Sequence, residues 1–313
     1  MAFSERVDVQ VHGAGWVGMA IASGLRDAGV RVRLVDPAGP RGGASGVAAG
    51  IVMGAHPEHP WRFEAALGTA AAADLVAFIQ ASVNAVPGLD RCGVDWVCAG
   101  DDADQAAPSL AASARIGLRA EATPTGFRLH DAGRAVVPIG DVPVHATPTE
   151  AEIDVWATGS AVTDPWLADK ILPARWQTAR VPGLRLDRPR VSRQATVYAD
   201  DGLVFGARWA TPHLEVGETD PHPSDPVHGM LARLVGQDFD RPAEVGVAGI
   251  VAESCDGLPI IGPVPGRPRV VVCAGFGIAG LTYGFGAAAS VVDGILGRPG
   301  FPVPRALQTS RFR

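Results

Sequence analysis

Three glycines near the amino terminus have the spacing of a phosphate-binding turn. They form Gly-X-Gly-X-X-Gly directly after the short apolar run VDVQVH at residues 7–12. The first glycine permits a tight turn, the second lets the backbone approach a pyrophosphate, and the third lets a helix pack closely on a strand. A helix that begins here offers free N–H groups and a partial positive charge to phosphates. The predicted binding residues are Gly13, Gly15, Trp16, Val17 and Gly18.

The elements on either side of this turn complete a β-α-β unit. Residues 16–28 carry apolar side chains on one helical face, Gly29 is a typical helix stop, and residues 30–35 (VRVRLV) predict a second strand. Short connections imply parallel strands joined by a right-handed crossover. Asp36 ends the second strand at the spacing of a carboxylate that binds ribose hydroxyls. The unit predicts a dinucleotide site, but it does not distinguish NAD from FAD.

Composition and charge limit the class of protein. Of 313 residues 47% are hydrophobic and 19% charged, which favours a compact globular enzyme over a disordered chain. The formal net charge of -6 provides no electrostatic reason to expect a nucleic-acid partner. The four cysteines form no Cys-X-X-Cys pair and no zinc-ligand spacing, so we expect reduced thiols and no metal site. They are Cys92, Cys98, Cys255 and Cys273.

No membrane segment or secretory signal is expected. Charged residues precede the first apolar run, which is unlike a signal peptide. Residues 270–292 are uncharged and long enough to span a bilayer, but they contain five glycines. A buried strand, a glycine turn and a buried helix explain this stretch better. We therefore expect a cytoplasmic protein.

The remaining chain alternates between two kinds of pattern. Buried strands are predicted at 153–159, 245–251 and 269–275, with a final helix at 278–296. Short β runs fill about 93–145 and 172–212, and helices are expected near 64–83 and 226–238. The first kind of pattern is typical of a Rossmann core, and the second of a mainly antiparallel sheet.

These patterns predict an α/β protein with a Rossmann-like domain and an interleaved, mainly antiparallel β-sheet domain. The dinucleotide-binding domain is expected to be discontinuous, at residues 1–65, 146–170 and 245–313. The substrate domain is expected at 66–145 and 171–244.

Several segments resemble one flavoprotein family. GGASGVAAGIVMG at 42–54 follows the acid, DVWATG lies at 154–159, CDGLPIIGPVPG at 255–266 and GFGIAGLT at 275–282, and the chain ends with ALQTSRF before its last residue. Together they resemble the D-amino-acid-oxidase-like family of FAD-dependent oxidoreductases, of the glycine oxidase and tRNA wobble-uridine-modifying type. The resemblance implies FAD as the cofactor.

The resemblance also implies roles for matching positions. The glycine turn would face the FAD pyrophosphate and Asp36 the adenosine ribose. Residues expected along the flavin side are Ala44, Ser45 and Gly50. Residues expected near the adenosine half are Thr158 and Gly159. Residues expected beside the pyrimidine edge of the flavin are Gly277, Ile278, Ala279 and Gly280. A helix beginning there would direct N–H groups at the negative charge of reduced flavin.

No catalytic residue is assigned from the sequence, but four are candidates. His56 follows the predicted flavin loop, Tyr198 and Arg208 lie on predicted strands, and Ile278 lies beside the flavin edge. His56 and His59 do not predict a metal site, because prolines interrupt the helix that would align them. Trp176, like Tyr198, could line the substrate pocket.

One departure from the family concerns substrate choice. Many relatives that oxidise amino acids carry an arginine shortly before Asp-Gly-X-Pro, where this chain has Val251. Arginine binds a carboxylate with two hydrogen bonds and valine cannot, so an ordinary amino-acid substrate is in doubt.

The favoured function is oxidation of a C–N bond of an amine or amino-acid-like small molecule by hydride transfer to FAD. Two alternatives stay open: a tRNA wobble-uridine-modifying flavin oxidase, and a flavin-binding protein without amine oxidase activity. An NAD-linked dehydrogenase is the weakest alternative. The sequence does not indicate the oligomeric state or the electron acceptor.

We expect the purified protein to be yellow with non-covalent FAD, because Cys255 does not match the flavin-linked cysteine of related sarcosine oxidases. Acid precipitation should release the flavin into the supernatant. Flavin in the pellet would contradict non-covalent binding, and FMN or no flavin would contradict the predicted fold.

Overall fold

The computed structural model describes most of the chain in nine segments. They are residues 7–98, 100–137, 141–181, 186–192, 195–199, 203–208, 232–236, 244–300 and 302–312.

The described residues form strands and helices in alternation at both ends of the chain and mainly strands between them. The strands are β1 (Val7–His12), β2 (Val32–Val35), β3 (Ile51–Val52), β4 (Leu89–Asp90), β5 (Val94–Val97), β6 (Ala120–Thr123), β7 (Gly126–Leu129), β8 (Gly133–Ala135), β9 (Val144–His145), β10 (Ala151–Trp156), β11 (Ile171–Val181), β12 (Arg190–Val191), β13 (Ala195–Ala199), β14 (Leu203–Arg208), β15 (Glu244–Ser254), β16 (Ile260–Val264) and β17 (Arg267–Ala274). The principal helices are α1 (Trp16–Asp27), α2 (Pro60–Leu67), α3 (Thr69–Asn84), α4 (Ala106–Ile116) and α5 (Gly280–Leu296).

The first sheet is the Rossmann-like core. Its strand order is β16-β17-β10-β1-β2-β9, and all neighbours are parallel except β16 and β17. The ends of β1, β10 and β17 are followed by Gly13, Ala157 and Gly275, which therefore meet at one edge of the sheet. In a parallel α/β sheet, this carboxyl edge is where ligands bind.

The second sheet is mainly antiparallel and has eight strands. Its order is β15-β11-β14-β13-β12-β5-β7-β6, in which only β12 and β5 pair in parallel. β11 and β15 are the longest strands of the described chain, with 11 residues each, and pair over most of their length. A small antiparallel sheet of β3, β8 and β4 lies beside the two large ones.

Helices bury the apolar face of the first sheet. α1 buries Ile21 and Leu25, which lie four residues apart on one face, over Val9 and Val11 of β1. α5 packs against both α1 and α3. By length and composition alone, the segment Gly277–Leu296 could cross a membrane, but 56% of its apolar window is buried in the protein. A buried core helix passes the same test, so this segment is weak evidence for a membrane span.

The predicted fold class is confirmed, but several elements differ from the predictions. The helix expected at 64–83 is two helices, because Gly68 has a φ of 81° between them. Helix α4 lies in a region predicted to contain only β runs. Most of the predicted helix at 226–238 lies outside the described residues. Within that range residues 232–236 are described, and 232–235 are helical.

Strand β15 belongs to the second sheet, although residues 245–251 were predicted to be part of the dinucleotide-binding core. It forms hydrogen bonds to β11 and not to a strand of the first sheet. The apolar pattern of residues 245–251 did not reveal this, because the strand that pairs with β15 is determined by contacts between residues far apart in the sequence.

Replacing Gly18 with alanine should destabilise the protein, because a Cβ there would lie 1.8 Å from the carbonyl oxygen of Gly13. We expect a loss of roughly 1–3 kcal/mol in the free energy of unfolding, measured with urea at fixed FAD concentration. Gly294→Ala is the matched control: it lies in α5 with no heavy atom within 4 Å of its added Cβ, and it should gain up to about 1 kcal/mol. Equal stability of the two variants would contradict close packing at Gly18.

Candidate functional site

A single large cleft collects most of the residues predicted from the sequence. It has a volume of about 1280 Å³, including the space open to solvent at its mouth, and lies where the carboxyl edge of the first sheet meets the second sheet. The predicted residues that line it are Gly13, Gly15, Trp16, Val17, Asp36, Ala44, Ser45, Gly50, Thr158, Gly159, Trp176, Val251, Gly277, Ile278 and Gly280. Two predicted cofactor residues, Gly18 and Ala279, lie behind this surface.

The glycine turn holds α1 against the sheet. Gly13 has a φ of 101° and donates its N–H to Val35 O at 2.8 Å. A Cβ on Gly13 would lie 2.3 Å from Ala157 O, and one on Gly18 would overlap the Gly13 carbonyl. Gly18 is thus a packing residue. The first N–H groups of α1 consequently lie at the cleft, where helices bind phosphate.

Asp36 joins the turn to the end of β2. Its Oδ2 accepts a hydrogen bond from Ala14 N at 2.8 Å, and its Oδ1 accepts one from Ala38 N at 2.9 Å. A carboxylate has about four acceptor positions, so both oxygens retain capacity for the hydroxyls of a ribose. Asp36 lines the cleft, and its contact with a ribose stays a prediction.

The loop at 42–54 forms another wall of the cleft. Ser45 Oγ accepts a hydrogen bond from Trp16 N at 3.1 Å and so caps one of the free N–H groups of α1. Gly50 has a φ of 74°, and a Cβ there would lie 2.3 Å from Ala135 O. Ser45 therefore has a structural role that the sequence prediction did not include.

A partly buried cation lies against Trp16. The guanidinium carbon of Arg41 is 3.6 Å from the centroid of the Trp16 ring, and Arg41 Nη2 donates to Val137 O. Burial lowers the pKa of Arg41 below its ordinary value. The indole Nε1 of Trp16 is buried without a hydrogen-bond partner among the described residues. Arg41 was not among the predicted residues, and its only signal in the sequence was an arginine directly before the glycine-rich segment 42–54.

A second helix begins at the cleft. Residues Gly277–Ala279 form a short 3-10 turn, α5 starts at Gly280, and its first turn has no acidic residue. Gly277 has a φ of 53°. Ala279 is buried and does not line the cleft, unlike Gly277, Ile278 and Gly280. This helix start provides N–H groups and a partial positive charge at the cleft, and its contact with the flavin edge stays a prediction.

The second sheet supplies the opposite wall. It contributes Trp176 from β11, Thr196 from β13, and Ile250, Val251 and Ala252 from β15. Val251 is 7% exposed and pairs with Ala174 across the sheet. This wall is predominantly apolar. The position expected to hold an arginine in amino-acid-oxidising relatives is therefore an aliphatic surface of the cleft.

Of the three catalytic candidates whose side chains the structure describes, only Ile278 lines the cleft. His56 stacks on Phe63, with ring centroids 4.7 Å apart. Its Nε2 lies 3.1 Å from Gly257 O, and its Nδ1 accepts from Glu58 N at 3.1 Å, so both ring nitrogens are used within the protein. Burial lowers the pKa of His56, which favours the neutral ring.

The other two catalytic candidates, Tyr198 and Arg208, lie on neighbouring strands of the second sheet. Tyr198 is buried, with the guanidinium carbon of Arg134 4.8 Å from its ring centroid, and does not line the cleft. Arg208 pairs with Trp176 across β14 and β11, so both positions belong to one face of the sheet. The side chain of Arg208 lies outside the described part of the structure.

The second loop histidine is a core residue. His59 is fully buried; its Nδ1 lies 3.3 Å from Ser109 Oγ and its Nε2 lies 3.5 Å from Asp102 Oδ2. Ser109 is also fully buried, so this Ser-His-Asp arrangement has no access for a substrate. No group of three or more potential metal ligands occurs among the residues described.

The cleft fits an FAD molecule on its own geometry. The N-terminus of α1 and three glycines suit a pyrophosphate, Asp36 suits the ribose, and the N-terminus of α5 suits the negative edge of a reduced flavin. The unpartnered Trp16 Nε1 adds a donor at the α1 end. These features lie along one continuous cleft, as an extended dinucleotide requires.

Comparison with known proteins agrees with this fit. The family described as DAO, FAD dependent oxidoreductase, matches residues 8–146 and 116–293, which together span most of the chain. No curated protein matches the sequence.

Solved structures of similar fold include several flavoenzymes. Glycine oxidase from Geobacillus kaustophilus has a TM-score of 0.73 and 17% identity, covering 98% of this chain and 99% of its own. L-proline dehydrogenase from P. horikoshii has a TM-score of 0.77 and 14% identity, covering 99% and 98%. L-amino acid deaminase from Proteus vulgaris, in a form with its specific insertion sequence deleted, has a TM-score of 0.68 and 16% identity, covering 100% of this chain and 95% of its own. At these identities the likeness shows the fold alone.

Replacing Asp36 with alanine should weaken FAD binding by about one to two powers of ten, since it removes a charged acceptor for ribose hydroxyls. Titration of the apoprotein with FAD measures this. Asp36→Asn, which keeps one carbonyl acceptor for Ala14 N, is the control and should lose less. Unchanged FAD affinity in the alanine variant would show that Asp36 only stabilises the turn.

Proposed function

Because the chain belongs to the DAO family of FAD-dependent oxidoreductases, we propose that it oxidises a C–N bond of a small amine or amine-containing molecule. The observation that carries this proposal is the shape of one cleft. One side of the cleft is formed by the predicted dinucleotide-binding residues, and the opposite side is an apolar wall of the second sheet. A substrate between the flavin end and that wall would have its reacting carbon held beside the cofactor.

The residues of the first sheet hold the cofactor in this proposal. The N-terminus of α1 would bind the pyrophosphate, and Asp36 would accept hydrogen bonds from the ribose. Gly277 and Gly280 let the backbone at the start of α5 approach the flavin edge. When bound there, FAD supplies a hydride acceptor for the carbon next to the amine nitrogen.

The second sheet contributes positioning and a dry environment. Trp176, Ile250 and Val251 present apolar surface toward the cleft. Such a wall excludes water and restricts the orientations that a bound amine can adopt, and both effects lower the barrier to transfer from a correctly placed C–H bond.

The cleft also favours the neutral form of an amine. Asp36 is the only charged residue among the described residues that line it, and it lies at the end of the glycine turn. Burying an ammonium group near Val251 without a partner would cost free energy, so burial lowers the pKa of the amine. A neutral amine can lose hydride without a protein base. The reaction therefore does not require an acid–base pair, and the described residues of the apolar wall contain none.

Substrate preference follows from Val251. Glycine oxidase, L-proline dehydrogenase and L-amino acid deaminase have names that specify amino acids. Here the aliphatic side chain of Val251 cannot bind a carboxylate. We therefore propose a secondary amine or a modified amino acid in place of glycine or alanine.

Anaerobic mixing of the FAD-loaded protein with amines tests the proposal. We expect N-methylpropylamine to bleach the visible flavin absorbance faster than glycine, D-alanine or sarcosine. The rate at low amine concentration should rise about tenfold per pH unit below the amine pKa, because only the neutral fraction reacts. Dithionite is the control, since it reduces the flavin regardless of the active site.

Two results would contradict the proposal in different ways. Rapid reduction by simple amino acids, abolished in Arg208→Ala, would assign the carboxylate contact to Arg208 and reverse the substrate preference. Reduction by dithionite but by none of the amines would reject amine oxidation and favour the flavin-binding protein without this activity.

A further inference from the structure

One polar side chain in the apolar wall has a buried hydroxyl without a hydrogen-bond partner among the described residues. Thr196 lies on β13, is 6% exposed and lines the cleft. Its hydroxyl Oγ1 is buried and has no hydrogen-bond partner among the residues that the structure describes. A buried hydroxyl without a partner destabilises a protein, and one that lines a cleft is available to a bound molecule.

Thr178 shows that this sheet can satisfy a threonine when the role is structural. Thr178 and Thr196 both pair with Gly206, one from each side, so the three positions form a row across β11, β14 and β13. Thr178 is similarly buried, at 5% exposed, but its Oγ1 accepts from Val247 N at 2.9 Å and donates to Val247 O at 3.2 Å. It does not line the cleft.

The surroundings of Thr196 limit the group that it could bind. A threonine hydroxyl both donates and accepts one or more hydrogen bonds but carries no charge. The other described residues of the second sheet that line the cleft are Trp176, Ile250, Val251 and Ala252, and none of them carries a charge. An uncompensated charge placed there would cost more than one hydrogen bond recovers, so the complementary group is a neutral oxygen.

We propose that Thr196 is a specificity-determining residue that hydrogen-bonds a neutral oxygen of the substrate, in a hydroxyl, carbonyl or amide group. This inference rests on the proposed amine oxidation and adds a second recognition element to it. The substrate then has an oxidisable C–N bond at the flavin and a neutral oxygen toward β13. A site built to bond an oxygen rejects an analogue that lacks it, because the hydroxyl of Thr196 would stay buried and unpaired.

The test uses two amines that differ by one group. N-methylethanolamine carries a hydroxyl where N-methylpropylamine carries a methyl, and rates of anaerobic flavin reduction are compared at equal concentrations of the neutral amine. We expect the hydroxyl compound to react about tenfold faster with the wild-type protein. Thr196→Val should abolish this ratio, and Thr196→Ser, which retains the hydroxyl, should preserve it.

Thermal unfolding of the FAD-loaded, substrate-free variants provides a readout independent of activity. Thr196→Val should have an unchanged or higher Tm, because it removes an unsatisfied hydroxyl. Thr178→Val is the matched control and should lower Tm, because it leaves the Val247 groups unpaired. An equal fall in both variants would show that Thr196 has a structural partner and would overturn the inference.

The remaining outcomes separate this inference from the proposed function. Equal rates for the two amines in the wild-type protein overturn the role of Thr196 and leave amine oxidation standing. Reduction by neither amine overturns both. A changed flavin spectrum or FAD affinity in substrate-free Thr196→Val would assign the hydroxyl to the cofactor and would also overturn the substrate contact.

Discussion

The close approach of α1 to the first sheet is the constraint on which the rest of the site depends. Gly18 packs on the Gly13 carbonyl, and Gly13 itself packs on Ala157 from the neighbouring strand connection. Any side chain at either glycine would push the helix away from β1 and β10. Because the turn is closed by Val35 O and by Asp36, one local arrangement sets the positions of the helix end, the ribose carboxylate and the loop after β10.

The charge distribution in the cleft follows from backbone more than from side chains. The N-termini of α1 and α5 both reach the cleft, and neither has an acidic residue in its first turn. Two partial positive charges at separate points suit a long anionic cofactor, while Asp36 adds negative charge only where a ribose would lie. The predominantly apolar surfaces between these points keep the electrostatic interactions strong, because the local dielectric is low.

In the proposed function, the second sheet determines what the cofactor can react with. β15 is an edge strand of that sheet. It lies so close to the loop at 42–54 that a Cβ on Gly249 would be 2.4 Å from Val47 Cγ2. This contact ties the apolar wall to the loop that lines the cofactor cleft. Substrate recognition is then left to a few side chains on the face of the sheet, where Val251 provides no charge and Thr196 provides one unpaired hydroxyl.

The sequence by itself determined the dinucleotide-binding turn, Asp36 and the start of the last helix, because each is a local pattern whose geometry depends on neighbours in the chain. It also indicated a second, mainly antiparallel sheet. Only the tertiary structure decided that β15 joins that sheet, that His56 uses both ring nitrogens within the protein, and that Thr196 rather than Thr178 faces the cleft. These outcomes depend on pairing and packing between residues far apart in sequence. A two-residue alternation does not tell which strands pair, nor which of two threonines in one row across a sheet finds a hydrogen-bond partner and which lines a cleft.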